Sequence, residues 1–475
     1  MHFSAGWSTL NFDGEERWLN MEHENRDHQV NPRRRRKTKK QIFMEVYMPG
    51  VLFGAFVLLT LGCVIAGLTA GNADDHTEDQ GTFTTGKEAA ENKHADRDEA
   101  ERLMAEARHL ANSYDFEGAI DVLDSFGKKI YDHDDMLQLR DHYKATKKDL
   151  VTFTGRDVVH LSVQVLIAEP ERAFADQTYG SSYKRNFIST REFSNLLQQL
   201  YTNGYVLVDM DDIVDRRTDE NGNTLLVEKT VMLPRNKKPL MLTQTQVNYY
   251  TYMVDPDKDG IPDKRGAGFA SKLLCENGKF RNELISASGD TLVGNFDMVP
   301  ILEEFLVSNP DFSYRGARAI LAVTGYDGIF GYRGDDLANA KPVAEALKQA
   351  GYQIAYYTYY NSDYGSVPAH KIQDELERWN QNIVPVLGHT PYMVYALSGD
   401  IAKQNTGYSG DKFDILQQQG FCYYLGFCTD GKPWFRPDAK YIRMGRILAN
   451  AENLQRHPEW FTGICDPATV LAEDR

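Results

Sequence analysis

The chain has 475 residues, with 53 Lys+Arg against 68 Asp+Glu and a formal net charge of -15. A chain this acidic is a poor general binder of nucleic acid, because phosphate contacts need clustered Lys and Arg. With 42% hydrophobic and 25% charged residues it has globular composition, room for about three domains at ~150 residues each, and too few cysteines (five) for a disulfide-built miniprotein.

Residues 1–45 hold nine Lys/Arg and seven Asp/Glu, so the acidity lies downstream. Most of the positive charge is one run, Arg33-Arg34-Arg35-Arg36-Lys37-Thr38-Lys39-Lys40. Met48 to Ala70 then runs 23 residues without a charge. A bilayer core needs ~20 residues in a helix, so residues 46–71 read as a transmembrane helix. A buried core helix and a cleaved signal peptide, cut near Ala70 or Ala73, are the rivals. The long apolar run and the 45-residue leader favour the span. The basic run holds the N-terminus in the cytoplasm and is attracted to anionic lipid. The rest of the chain is then extracytoplasmic, in a single-pass plasma-membrane protein.

Residues 72–96 are polar and read as a flexible linker. Leu103, Ala107, Leu110 and Ala111 fall at helical spacing, and Tyr114-Asp115 breaks the pattern. Phe116, Ala119, Ile120 and Leu123 begin a second helix, and residues 136–150 add a third. Residues 97–150 resemble one tetratricopeptide-type hairpin. A single copy makes no peptide groove, so it reads either as a stalk or cap or as a surface for a protein partner.

From Val158 onward strands and helices alternate. The expected strands are Val158–Ile167, Tyr205–Val208, Pro239–Thr243, Ala319–Val323, Tyr352–Tyr357, Ile383–Leu387, Tyr392–Tyr395 and Phe421–Leu425. The expected helices are Arg191–Thr202, Met298–Val307, Lys341–Ala350, Ala369–Gln381, Phe413–Gln419 and Tyr441–Asn453. Repeated strand–helix units predict an α/β domain over residues 158–470, with its chemistry at the C-terminal strand ends.

The stretch Lys238-Pro239-Leu240-Met241-Leu242-Thr243-Gln244-Thr245-Gln246 resembles the first motif of polysaccharide deacetylases, carbohydrate esterase family four. There the strand ends in an Asp-Asp pair. The helix, Gly351 and strand from Val343 to Asn361 resemble the second motif, which ends in two His. Tyr392–Gly399 falls where a third, substrate-lining motif would. The segments Val165–Phe174, Gly325–Arg333 and Arg443-x-Gly445-Arg446 resemble a membrane-anchored branch of that family in Gram-positive bacteria. The resemblance implies a distorted (β/α) barrel and removal of acetyl groups from N-acetylated sugars by a metal held by one Asp and two His, with a second Asp as base.

The residues that do this work are replaced. Thr245 and Gln246 stand for the two Asp, Tyr357 for the first His, and Asn361 near the second. Gln164 stands where the branch tends to carry His. Amides and hydroxyls are weak zinc ligands, and Thr is no base near neutral pH. The expectation is therefore no zinc and a catalytically degenerate pseudoenzyme that binds cell-envelope polysaccharide or peptidoglycan, with no nucleic-acid partner. The alternatives are an active deacetylase with an atypical residue set and a structural scaffold. The expected ligand-binding residues are Tyr249, Tyr357, Asn361, Tyr395 and Arg333, among tyrosines that either present faces to sugar rings or pack in the barrel wall.

Asp255, Asp257, Asp259 and Asp263 alternate around Gly260, a spacing that suits Ca²⁺. A solvated acidic turn is the other reading, since Gly266 stands where an EF-hand carries Glu. His389 has no second His at ligand spacing and reads as a surface or structural residue. Cys275, Cys422, Cys428 and Cys465 lie on the side of the membrane where disulfides persist, and Cys422 and Cys428 are near enough in sequence to pair.

Overall fold

The computed structural model describes residues 84–475, apart from 221, 223, 256–267, 397–398 and 474, with side chains described from residue 94. The expected basic tail 1–45 and span 46–71 lie outside the described residues. Among the described residues no helix is long and apolar enough to cross a membrane. The chain divides into two compact units, Met1–Lys87 and Glu88–Arg475, and every described strand belongs to the second.

Helix α1 (Thr84–Asn112) begins inside the expected linker. Tyr114, in the left-handed region at φ 68°, turns the chain, and Asp115 caps α2 (Phe116–Asp124) by accepting from the Gly118 amide. Helix α3 (Asp134–Asp149) completes the helical unit. Leu103, Ala107, Phe116, Ala119, Leu123, Met136 and Tyr143 are all buried, so these helices spend their apolar faces internally. They seat on residues just upstream of a central strand: the Tyr114 hydroxyl donates to the Asp311 carbonyl at 2.7 Å, and Arg315 pairs with Asp115 at 2.9 Å.

The remainder is a closed (β/α) barrel. Its strands are β1 (Val159–Gln164), β2 (Lys238–Thr245), β3 (Ile320–Val323), β4 (Gln353–Tyr356), β5 (Tyr392–Val394), β6 (Tyr423–Phe427) and β7 (Ile442–Leu448). The order β3-β4-β5-β6-β7-β1-β2 returns to β3, and every one of these pairings is parallel. The lower half of the β2 edge that meets β3 is instead paired with a short strand, Tyr205–Leu207.

Alternation along each strand sorts side chains into two layers. Leu161, Val163, Leu240, Leu242, Leu321, Val323, Ile354, Tyr356, Tyr424 and Ile447 join the outer layer under the helices. Met241, Ile320, Ala322, Ala355, Tyr357, Val394, Leu425 and Met444 join a cluster that continues into the helical unit. That unit therefore closes the N-terminal end of the barrel, opposite the strand ends where chemistry is expected.

The outer helices include α4 (Thr190–Thr202), α5 (Met298–Ser308), α6 (Ala340–Gln349), α7 (Ala369–Asn382) and α8 (Asp411–Gln418). In α4, Ser189 and Glu192 form a reciprocal capping box. Phe193, Leu196, Leu197 and Leu200 are fully buried on one face, at roughly 1.5–3 kcal/mol each. The Glu192 carboxylate also accepts from the C-terminal Arg475, which ties the end of the chain to this cap.

Two expected elements are corrected. Ile383–Leu387 is not a strand: Val384–Leu387 is a single helical turn with Pro at its start. A short apolar run fits either state, and Pro385, without an N–H, suits a first helical turn. Tyr441–Asn453 is not a helix but β7 followed by a helix over Ala451–Arg456. Arg443 and Arg446, three residues apart and so on one side of the expected helix, are both buried in the strand. An antiparallel insertion, Ala270–Glu276, Lys279–Ile285 and Thr291–Gly294, is absent from the elements expected of the sequence. Its signal was Asn277-Gly278, both left-handed at φ 51° and 74°, the pair that a two-residue hairpin turn requires.

Candidate functional site at the barrel mouth

Strand register assembles the site. Gln164, the last residue of β1, pairs in register with Thr245, the last of β2. Thr245 pairs with Ala322 of β3, and Ala322 with Ala355 of β4. The four form one hydrogen-bonded row across neighbouring strands. Tyr357 follows one step above, its amide donating to the Val323 carbonyl at 2.9 Å. The positions expected to carry chemistry on β1, β2 and β4 thus share one end of the lumen.

Gln246 follows β2 in the left-handed region, φ 61°, and its carbonyl accepts from the Asn248 amide at 2.6 Å. Gln164 Nε2 donates to Gln246 Oε1 at 3.3 Å, while Gln164 Oε1 is buried without a hydrogen-bond partner among the described residues. Among the described residues Thr245 Oγ1 makes only a long contact, 3.4 Å, to the Val163 carbonyl. Left-handed non-glycine residues recur in the next two loops: Asp327 and Phe330 after β3, Thr358 and Asn361 after β4. Such residues cost about 1–3 kcal/mol each and gather at functional sites.

A buried carboxylate holds the loop after β2. Asp297, fully buried, accepts from Gln244 Nε2 at 2.6 Å, Tyr249 Oη at 2.7 Å and the Leu166 amide at 2.9 Å. Burial pushes its carboxyl up, and these donors pull it back. Tyr249 is therefore a core residue and presents no face to a ligand. Tyr395, also expected at a ligand surface, is likewise fully buried. Arg333 braces the same loop: it donates to the Tyr249 carbonyl and pairs at 3.4 Å with Asp327, which accepts from Thr251.

The loop after β4 is clamped from α7. Glu375 accepts from Ser362 Oγ, from Tyr364 Oη at 3.1 Å and from the Tyr360 amide at 3.4 Å. Tyr364 is paired in turn with Tyr356. Asn361, at φ 60°, leaves its Oδ1 buried and without a hydrogen-bond partner among the described residues, so it is not bonded through that atom to Gln164 or Gln246. Of the clustered tyrosines, Tyr250, Tyr356, Tyr357, Tyr359, Tyr364, Tyr392 and Tyr395 are buried, so Tyr357, expected at a ligand surface, lies in the lumen wall, whereas Tyr360 is 48% exposed, with Arg378 5.8 Å from its ring centre.

Two residues outside the sequence-based set complete the lumen. His160 Nε2 lies 2.7 Å from Thr243 Oγ1. Its pKa is pushed down to about 3, first by burial and then by the charge of Arg446. Arg446 bonds to Ser162 Oγ of β1 at 3.2 Å, to the Leu425 carbonyl of β6 at 3.3 Å and to the Tyr395 carbonyl just past β5. The readable signal was strand parity, which puts Arg446 on the lumen face with Ile442 and Met444.

The mouth offers amides, hydroxyls and one guanidinium. This donor set does not fit the zinc that the resemblance implies. Among the described residues no three His, Cys, Asp or Glu side chains gather as metal ligands. Of the acidic loop only Asp255 is described; Asp257, Asp259 and Asp263 lie outside the described residues. Cys275, Cys422, Cys428 and Cys465 are free thiols, so Cys422 and Cys428 are not bonded to each other. His389 is exposed and lines a cavity of about 210 Å³ with Lys348, Gln353 and Thr390. That cavity opens beside the N-terminal ends of β4 and β5, away from the mouth.

No family model matches the chain, and no curated protein does. Among solved structures it is similar to the Streptococcus pyogenes deacetylase PplD in complex with acetate, at 12% identity over 66% of this chain and 99% of that one, with a TM-score of 0.34. It is also similar to a de-N-acetylase from Aggregatibacter actinomycetemcomitans, at 13% identity over 61% and 94% of the two chains, with a TM-score of 0.32. The barrel assignment stands on the strand register alone.

Proposed function

We propose that this chain is a polysaccharide-deacetylase-like barrel that binds carbohydrate at its mouth without hydrolysing it. The observation that carries the reading is the donor set on β1, β2 and β4. Hydrolysis of an acetamide needs a polarised carbonyl, an activated water and a proton acceptor. Gln164, Thr245, Gln246, Tyr357 and Asn361 supply none of these near neutral pH, but the partly exposed Gln164, Gln246 and Asn361 do supply donors and acceptors for hydroxyl and acetamido groups. Tyr360 adds an exposed aromatic edge to the same loop, suited to the C–H face of a sugar ring. With residues 46–71 as its anchor, the barrel would stand outside the plasma membrane and meet cell-envelope glycan.

Full-length protein tested against N-acetylglucosamine oligosaccharides and peptidoglycan separates binding from hydrolysis. The reading expects glycan retention that Tyr360→Ala weakens, with acetate at the level of the protein-free control. Zinc-dependent acetate release that rises with enzyme concentration would overturn it and favour an active deacetylase with an unusual residue set.

A further inference from the structure

Two arginines three residues apart on β7 are buried to the same degree and treated oppositely. Arg443, 1% exposed, faces the outer layer. It meets Asp400 at 2.8 Å and lies 4.3 Å from the centre of the Tyr408 ring. Arg446, 0% exposed, faces the lumen. Its hydrogen-bond partners are a hydroxyl and two backbone carbonyls, all neutral. Among the described residues no carboxylate forms an ion pair with it. Burial pulls its pKa down to about 10, against Tyr357 and Cys428, which act to raise it, and burial pushes the Cys428 thiol up to about 12, so that thiol carries no charge at neutral pH. His160, deeper in the lumen, is held neutral.

A guanidinium carries five N–H groups, and these bonds use one on each nitrogen, leaving two. Burying a charge without a counter-ion is unfavourable, and folds that retain one tend to do so at functional sites. Above it lies the ring of Phe427, 4.1 Å from its central carbon. Phe427 ends β6 and is itself partly exposed, so the charge sits one ring beneath the surface. Tyr357 stands near enough to act on it.

We infer that Arg446 anchors a carboxylate site at the barrel mouth, and that the saccharide it selects bears a carboxylate, as a uronic acid or a lactyl ether does. This rests on the carbohydrate-binding function proposed for the mouth. A carboxylate pairs with guanidinium N–H groups through charge-assisted bonds, and two such groups remain. One cation among neutral amides balances a monoanion, whereas a phosphate monoester would bring a second charge with nothing to meet it. Phe427 swings aside on binding, and the amide pair contacts neighbouring hydroxyls.

Calorimetric titration of the full-length chain decides this. The probes are a tetrasaccharide alternating glucuronic acid with N-acetylglucosamine, and the neutral N-acetylglucosamine tetrasaccharide. The acidic probe is expected to bind about tenfold tighter, the worth of one good charge-assisted bond. Arg446→Met, a neutral replacement of similar length, should erase the preference. Phe427→Ala, which uncovers the guanidinium and leaves it in place, should keep the preference, and it decides the matter if Arg446→Met does not fold. Equal affinity for both probes in the parent chain, or a preference that survives Arg446→Met, overturns the carboxylate site alone. Binding of neither probe overturns the carbohydrate reading as well.

Discussion

Gln164 and Gln246 face each other across the tops of β1 and β2, with Nε2 of the first donating to Oε1 of the second at 3.3 Å. Two side chains that neither ionise nor bind zinc well thus occupy the corner where hydrolytic chemistry would begin. A neutral hydrogen bond of this kind is worth about 1 kcal/mol. Gln246→Ala is therefore expected to weaken binding of N-acetylglucosamine oligosaccharides about fivefold and leave acetate release at the blank. Calorimetry and an acetate assay on one preparation check both.

Tyr249 tests the support under that corner. Its hydroxyl donates to Asp297 and accepts from Asn282 Nδ2 at 3.1 Å. Tyr249→Phe leaves a buried carboxylate one donor short, a loss of about 1.5–3 kcal/mol. Urea denaturation should show a lower midpoint with an unchanged slope. An unchanged midpoint would mean that Asp297 does not depend on this bond.

The sequence made parts of this legible and hid others for physical reasons. Pro239–Thr243 reads as a strand because apolar residues end at a polar turn, and the resemblance to the first deacetylase motif placed Thr245 and Gln246 at its end. Helix α6 was readable from its periodicity and from Gly351, left-handed at φ 103°. β7 was missed because Arg443 and Arg446 look wet, and only tertiary pairing shows both buried. The tyrosines misled for a related reason. Alternation tells which face a side chain takes but not whether that face meets solvent, so Tyr249 and Tyr395 looked like ligand contacts and are core. Asp297 carries no motif, and its role comes from reaching β2 and the loop after β1 at once.

His160 gives a pH signature. Its folded pKa of about 3 lies below the ordinary 6.5, so between these values the unfolded chain binds the extra proton. Stability from this group is intact above pH 6.5 and is lost as pH falls toward 3. His160→Gln should flatten the rise of unfolding free energy with pH by up to about 1.4 kcal/mol per unit in that window. Denaturation series at several pH values measure the slope.

Asp212 acts with the opposite sign. Burial first, and the nearby Asp209 carboxylate second, push it up to about 7 from 3.8. Between those values the folded chain holds the extra proton, so this contribution falls as pH rises and is lost above 7. Asp212→Asn keeps an oxygen to accept from the Asp209 amide, a bond of 2.9 Å, and removes the titration. The variant should gain on the parent chain as pH rises from 4 to 7. A constant difference across that range would contradict the assignment.

The most direct test is the fate of the sugar itself. Full-length chain is saturated with the neutral N-acetylglucosamine tetrasaccharide in the presence of added Zn²⁺, binding is recorded as heat, and the recovered tetrasaccharide is weighed by mass spectrometry. The account predicts a saturable heat and a tetrasaccharide that keeps all its acetyl groups. Recovery of product lighter by an acetyl group, formed in proportion to the protein added and lost on chelation of the metal, would contradict it.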